Sequence, residues 1–207
     1  RRRKSRYIIQ IHRKPDKLAQ DEQLSKRTGK RRRILKMFEE NIKIPKDRIA
    51  VIIGENGFVK RRLEKLTNTK IKVDSKEGIV DIKADNSIEL FEAKPLIMAI
   101  ARGFNPKLAE QLTNEKNCLE IINIEEFSGK SKKRFIRIKS RCIGKEGKAK
   151  DMLEKLTETN ICIYGKTVAI MGKIENVVIA KRAIESLLGG AKHGGVYAQI
   201  QRRKDEL

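Results

Sequence analysis

The chain has 207 residues and a formal net charge of +22 at pH 7, which fits one or two small, strongly basic domains. It contains no apolar run long enough to cross a bilayer. The three cysteines form no C-x-x-C pair, and their odd number excludes a complete disulfide framework, so we expect buried free thiols in a reducing compartment. The positive charge favours phosphate polymers as partners, because binding releases their counterions.

The positive charge is concentrated at the start of the chain. Residues 1–36 carry 15 Lys and Arg against 3 Asp and Glu, a net charge of +12, which leaves +10 for the other 171 residues. Because this segment has little apolar surface to bury, we predict a basic N-terminal extension over residues 1–40. At the other end, Lys204–Leu207 spells an endoplasmic-reticulum retention signal. We find no entry signal to accompany it, so we interpret it as a chance match and predict a cytoplasmic location.

Residues 41–103 predict a unit of order β-α-α-β-β-α. A strand ends at Pro45, and Asp47 is a candidate cap for a helix that begins near Arg48. Glycines interrupt the helical pattern, which resumes over 58–66 and leads to two apolar strands joined by a turn. A long helix follows from Ser87 to about Gly103, and Pro95 should kink or split it. Its predicted inward residues are Ile88, Phe91, Ile97 and Ile100.

Residues 104–117 predict a connector, after which 118–190 repeat the order β-α-α-β-β-α. A basic loop over 128–134 has no counterpart in the first unit. The closing helix runs from about Glu175 to Leu188, and residues 191–207 are predicted as a C-terminal tail. The predicted inward residues of the closing helix are Val177, Val178, Ile184 and Leu187.

The two units share one ungapped motif. Ile53-Gly54-Glu55-Asn56-Gly57 precedes Lys60-x-x-Leu63-Glu64-Lys65-Leu66-Thr67, and Ile143-Gly144-Lys145-Glu146-Gly147 precedes Lys150-x-x-Leu153-Glu154-Lys155-Leu156-Thr157. The G-x-x-G loop lies between paired helices in both units, an order that resembles the type I KH module, whose loop clamps four nucleotides. We therefore predict an α+β fold of two tandem type I KH domains packed together.

The glycines of these loops let an RNA backbone approach the protein backbone, because no side chain stands between them. The helix that follows each loop directs free N–H groups and a positive dipole end towards the phosphate. The predicted RNA-binding residues are Gly54, Glu55, Asn56, Gly57, Lys60, Arg61, Arg141, Ile143, Gly144, Lys145, Glu146, Gly147, Lys148 and Lys150. With aromatic content of only 4%, recognition should rest on backbone clamping and aliphatic packing.

The two loops differ in charge. Glu55 places a negative charge where phosphate should lie in the first loop, and Lys60 and Arg61 compensate in part. The second loop interior, Lys145-Glu146, is neutral and flanked by lysines, so we expect the second groove to bind RNA more tightly. Ile161 and Ile163 are either the floor of that groove or ordinary core residues, and the sequence leaves both interpretations open.

The sequence offers no catalytic constellation. Its histidines, His12 and His193, have no Cys or carboxylate neighbour at metal-ligand spacing, and neither a P-loop nor a G-x-G-x-x-G motif occurs. We therefore predict a binding protein without catalytic residues, metal or cofactor.

The residues around the motifs resemble those of a more specific family. The segments 141–148, 164–172 and 190–197 are similar to the second KH domain of the Dim-two, or partner-of-Nob, family of small-subunit ribosome-assembly factors, and 101–106 resembles that family's junction between KH domains. Two intact G-x-x-G loops are typical of its archaeal members, since eukaryotic relatives tend to have a degenerate first loop.

This resemblance implies a non-enzymatic factor that binds the 3′ region of precursor small-subunit rRNA and assists its maturation. It also implies two protein partners, the Nob-type PIN endonuclease and the alpha subunit of initiation factor two. Two alternatives stay open at this level. One is an RNA-binding subunit of an exosome-like degradation complex, and the other is a nuclease.

Overall fold

The computed structural model describes residues 37–205, with side chains described as far as Arg203. The predicted basic extension lies outside these residues up to Lys36, as does the end of the predicted tail. The elements of the first unit are β1 (Phe38–Lys43), α1 (Lys46–Ile53), α2 (Phe58–Thr67), β2 (Lys70–Asp74), β3 (Ile79–Ala84) and α3 (Ser87–Ala101). The predicted order β-α-α-β-β-α is confirmed, and β1 begins inside the predicted extension.

The sheet of the first unit has the strand order β1-β3-β2, and both pairings are antiparallel. Alternation along β3 decides which face is covered, because Val80 and Ile82 are fully buried while Asp81 and Lys83 lie on the other face. In register with β3, Ile71 pairs with Ile82. The helices α1, α2 and α3 pack on this apolar face and form one core with it.

A short connection leads to the second unit. It contains α4 (Pro106–Ala109), which begins at the cap residue Asn105, and one 3-10 turn, Glu110–Thr113. The remaining elements are β4 (Asn117–Asn123), α5 (Glu125–Ser128), α6 (Lys132–Ile143), α7 (Lys148–Thr157), β5 (Asn160–Tyr164), β6 (Thr167–Lys173), α8 (Ile174–Gly189) and α9 (His193–Asp205). The second sheet repeats the arrangement of the first, with order β4-β6-β5.

The central strand of the second sheet, β6, is buried on both faces. Val168 and Ile170 of β6 pack in the core of their own unit, whereas Ala169 and Met171, between and after them, pack in the core of the first unit. All four side chains have no exposed surface. This explains why β6 is a continuous apolar run while β3 alternates, since a strand covered on both faces needs apolar residues at every position. The two units are therefore packed together, as predicted.

Helix α3 differs from its prediction in the residues that it buries. Ile97 and Ile100 face inward, but Ile88 and Phe91 are 61% and 77% exposed, so the inward assignment of these two was wrong. The actual buried stripe runs along Ala93, Leu96, Ile97 and Ile100. Pro95 does not split the helix. The carbonyl that loses its hydrogen bond to a proline lies four residues earlier, here at exposed Phe91, where water can bind it.

The other differences concern two helix starts and one buried position. Asp47 caps nothing, because α1 begins at Lys46 after Pro45. Val178 of α8 is 44% exposed rather than inward, whereas Val177, Ile184 and Leu187 are buried as predicted. The basic loop contributes residues to helices, since α6 begins at Lys132.

The predicted tail contains α9, whose Val196 and Ile200 are buried in the core of the second unit. A helix also follows the long helix of the first unit, since α4 comes shortly after α3, and the second unit contains the short helix α5 in addition.

Candidate nucleic-acid interface

The second G-x-x-G loop connects α6 to α7 through four residues, three of which have positive φ. Gly144 has φ 76° and ψ 176°, Glu146 has φ 55°, and Gly147 has φ 82°. A Cβ added to Gly144 would lie 2.6 Å from the backbone nitrogen of Ala149, while one added to Gly147 would meet nothing closer than 3.8 Å. Gly144 is therefore required by packing inside the protein, and Gly147 leaves open space in front of the loop.

That open space lies at the amino end of α7. The helix has no side-chain cap, so no side chain among the described residues accepts from its first N–H groups, and the same is true of α2 after Gly57 in the first loop. Free N–H groups and the positive end of the helix dipole favour an anion at this position. The first loop has nearly the same backbone, with Gly54 at φ 71° and Asn56 at φ 49°.

Beside the second loop lies a groove of about 460 Å³. One wall consists of the end of α6 and the exposed side of α7, and the other follows the edge strand β5. Its lining residues are Gly103, Phe104, Asn105, Leu108, Ile143, Lys150, Glu154, Asn160, Ile161, Cys162 and Ile163. The groove is apolar at its base and joins a phosphate-favouring loop, which is the combination that a single-stranded RNA needs for its bases and its backbone.

The structure answers the question left open for the two isoleucines of β5. Ile161 is only 3% exposed and belongs to the core of the second unit, although its edge reaches the groove. Ile163 and Ile143 are half-buried and line the groove directly. The backbone N–H of Ile161 donates to Glu154 Oε1 over 2.6 Å, and Ile71 donates to Glu64 in the same way over 2.8 Å. This bond fixes the distance between helix and strand in each unit.

The cations predicted to bind RNA are not equally available. Lys145 is exposed and makes no ion pair with any described residue. Lys148 lies 3.1 Å from Glu146, and Lys150 lies 2.8 Å from Glu154 inside the groove. Lys145 is therefore the cation of the second loop that is ready for a phosphate.

In the first loop, Lys60 lies 3.8 Å from Glu64, and exposed Arg61 has no ion pair among the described residues. Glu55 and Asn56 form the loop interior, as the sequence states. The first loop thus presents a carboxylate where the second presents Lys145.

Arg141 does not point at the loop. Its guanidinium donates to the backbone carbonyls of Leu187 and Ala191, at the end of α8. In the first unit Arg48 makes the corresponding contacts, donating to the carbonyls of Ile100 over 2.9 Å and Phe104 over 2.8 Å. Each unit thus uses an arginine of the helix before its loop to satisfy carbonyls at the end of its long helix. The guanidinium of Arg141 is thus engaged within the protein, and the RNA-backbone contact proposed for it stays a prediction.

Sequence reasoning missed the part of the groove that the connector supplies. Gly103, Phe104, Asn105 and Leu108 line the groove of the second unit although they belong to the chain segment before it. A Cβ on Gly103 would lie 2.6 Å from Cys162 Sγ, so the connector runs directly against β5. The Asn-Pro pair at 105–106 predicts a helix start, but no local signal indicates which groove that helix borders.

The cysteines are unsuited to nucleophilic chemistry. All three are free, and burial raises the pKa of the Cys142 thiol to about 11. Burial also raises the pKa of Cys162 beside the groove. Within residues 37–205 no cluster of His, Cys, Asp and Glu could hold a metal ion, and no described helix is long and apolar enough to cross a membrane.

Comparison with known proteins agrees with this geometry. Residues 118–205 match the family model described as "Eukaryotic type KH-domain (KH-domain type I)", and residues 39–99 match the model described as "KH domain". The KH domain-containing protein MJ0443 of Methanocaldococcus jannaschii is 41% identical over 172 residues, which cover 81% of this chain and 75% of the relative. The crystal structure of Dim2p from Pyrococcus horikoshii is 41% identical, with a TM-score of 0.73 over 80% of this chain and 99% of that chain.

The chain belongs to the Dim2/Pno1 family of KH-domain proteins. A chain in the crystal structure of the a/eIF2alpha–aDim2p–rRNA complex of Pyrococcus horikoshii matches it with a TM-score of 0.76 and 41% identity, over 83% of this chain and 97% of that one. The RNA-binding protein pno1 of Dictyostelium discoideum is 26% identical over 79% of this chain and 72% of the relative. The expected resemblance and the fold of two KH domains are thus confirmed.

Proposed function

We propose that this protein binds single-stranded rRNA in the groove of its second KH domain and assists the maturation of small-subunit rRNA by holding its 3′ region. The observation that carries the proposal is the junction of unpaired Lys145 and the uncapped amino end of α7 with the apolar groove along β5. Family membership supports the process, because relatives are named as pre-rRNA-processing proteins.

Protein partners follow from the same relatives. The crystal structure named for the a/eIF2alpha–aDim2p–rRNA complex motivates rRNA and the alpha subunit of initiation factor two as partners of this chain. We add the Nob-type PIN endonuclease, which would cut the RNA that this protein presents. A pull-down with purified components and a 3′-terminal rRNA fragment tests each partner separately.

The RNA site is tested by replacing Lys145 and Glu146 together with aspartate. Asp tolerates the left-handed backbone found at Glu146, so the fold should persist. Affinity for a 3′-terminal rRNA fragment should fall at least about tenfold, because a hydrogen bond to a charged group contributes about 1.5–3 kcal/mol. The control replaces the equivalent residues of the first loop, Glu55 and Asn56, with aspartate, which is a smaller change of net charge, and should cost much less affinity. Equal affinity of the first variant and the wild type would refute the second groove as the RNA site.

A further inference from the structure

Helix α6 carries an exposed face that leads to the second loop. Lys133, Arg137, Ser140 and Gly144 are spaced i, i+4, i+7 and i+11, which places them along one side of the helix. The side chains of Lys133, Arg137 and Ser140 are exposed, and Ile136 on the same side is 55% exposed. We call these four exposed residues, Lys133, Ile136, Arg137 and Ser140, the α6 face.

Within the part of the chain that the structure describes, the cations of this region have no acidic partners. None of the side chains of Lys130, Lys132, Lys133, Arg134 and Arg137 makes an ion pair or hydrogen bond with a described residue. Several other lysines of the second unit are paired, as Lys166 is with Glu125 and Lys181 with Glu120. Glu125 lines the same depression as Lys130 and Lys132, but its carboxylate forms an ion pair with Lys166. Positive potential is therefore concentrated where α6 begins.

Helix stability does not account for this charge. The first turn of α6 contains Lys132, Lys133 and Arg134 and no acidic residue, although the amino end of a helix favours negative charge. Ser131 is the cap, accepting a hydrogen bond from the N–H of Arg134 over 3.3 Å. This arrangement opposes the helix dipole, and an anion bound from outside would offset its cost.

The first KH domain shows that the fold does not require this face. Its helix α1 has 8 residues where α6 has 12, so the basic first turn of α6 has no counterpart. The position equivalent to Arg137 is Asp47, whose carboxylate accepts a hydrogen bond from the Tyr164 hydroxyl. Ser140 corresponds to Ala50. The α6 face is therefore specific to the domain with the RNA groove.

We propose that the α6 face is a second RNA-binding surface, which binds phosphates of the nucleotides that adjoin those in the groove. This inference rests on the proposed function and extends its site. From Lys133 to Gly144 the helix rises about 16 Å at roughly 1.5 Å per residue. A stacked strand spans that length with about five nucleotides at roughly 3.4 Å each. The protein would then hold about nine nucleotides, since a G-x-x-G groove holds about four.

The test compares two RNAs from the 3′ terminus of small-subunit rRNA, a core of about four nucleotides and the same core extended on either side to about nine. The variant replaces Lys133 and Arg137 with glutamine. The control replaces Lys65 and Lys155 with glutamine, an equal change of charge at exposed positions in the last turns of α2 and α7, away from the loops. Affinity is measured by fluorescence anisotropy at several salt concentrations.

In the wild type and the control, the extended RNA should bind at least about tenfold more tightly than the core. The variant should keep its affinity for the core and lose that gain. Its slope of log affinity against log salt for the extended RNA should decrease by about 1.4, because each phosphate contact on a single strand contributes about 0.7. If the variant keeps both the gain and the slope, the α6 face is not an RNA surface, although the groove stands. If the wild type binds neither RNA, the proposed function itself fails.

Discussion

The hydroxyl of Tyr164 in β5 donates a hydrogen bond to the carboxylate of Asp47 in α1, and so joins the edge of the second sheet to the helix before the first loop. The guanidinium carbon of Arg48 lies 6.0 Å from the centre of the same ring. These contacts lie beside the connector that lines the second groove. The first KH domain therefore contacts the strand that borders the groove of the second domain.

The pKa of Tyr164 should report this contact. The hydrogen bond to Asp47 raises it, since ionisation of the phenol would lose the donor and place two negative charges together. A raised folded-state pKa means that the contact stabilises the protein below the ordinary pKa of 10.0 and that this stability is lost as the pH rises above it. Replacing Asp47 with asparagine should lower the Tyr164 pKa, as measured by NMR titration. Tyr197 is the internal control, because its raised pKa has burial as its cause and should not change.

Met171 should stabilise both domains at once. Its side chain is fully buried, and although it belongs to β6 it packs in the core of the first unit. Replacing Met171 with alanine should cost about 2–5 kcal/mol of unfolding free energy. We expect one cooperative transition, shifted as a whole, in chemical denaturation followed by hydrogen exchange in both sheets. The alanine variant of Ile88, which is 61% exposed, should change stability by less than about 0.5 kcal/mol. Two separate transitions would contradict the joint core.

The two glycines of the second loop should respond differently to alanine. Both have positive φ, so each substitution carries a backbone cost of about 1 kcal/mol. Only at Gly144 does the new Cβ also meet backbone, at 2.6 Å from the nitrogen of Ala149. Thermal unfolding should therefore show a larger loss of stability for Gly144→Ala than for Gly147→Ala. The reverse order would mean that the loop can move away from α7.

Arg141 should act on stability and not directly on RNA. Its guanidinium holds two carbonyls at the end of α8, so replacement by methionine should cost about 1–3 kcal/mol, by leaving those carbonyls without a charged donor. Affinity for a four-nucleotide core RNA should remain within about twofold at a temperature where the variant is folded. The equivalent variant of Arg48 should show the same loss of stability. A large loss of affinity with unchanged stability would restore the RNA contact predicted from sequence.

Cys142 should make the protein less stable at alkaline pH. Its thiol has a pKa of about 11 in the folded protein, raised by burial from an ordinary 9.0. The contribution of the neutral thiol to the free energy of unfolding is fully present below pH 9.0. It is lost as the pH rises towards about 11, because the thiol of the unfolded chain ionises at a lower pH than that of the folded protein. The loss is on the order of 2–3 kcal/mol. Urea denaturation at pH 8 to 11 should show a smaller pH dependence in Cys142→Ala, which keeps the other ionisable groups.

The loops were predictable because their chemistry is local. Gly54, Gly57, Gly144 and Gly147 all have positive φ, and both loops lie between paired helices as the repeat indicates. Ile88 and Phe91 show where periodicity fails, since two apolar stripes fit one helix and only its neighbours decide which is covered. Arg141 shows that the contacts of a charged side chain are equally hard to predict. The sequence places it next to the loop but does not give the direction of its side chain, which here contacts the end of α8.

The sequence by itself determined the two KH domains, their element order and the charge difference between their loops, since these depend on local conformation and on residues close in the chain. The tertiary structure alone decided that Met171 stabilises the first domain, that Arg141 binds α8, and that the connector forms part of the second groove. Each of these depends on a contact between residues distant in sequence, which side-chain periodicity cannot specify. The sequence predicted a basic loop over 128–134. In the structure its last residues form the first turn of α6, on the helix that leads to the second G-x-x-G loop.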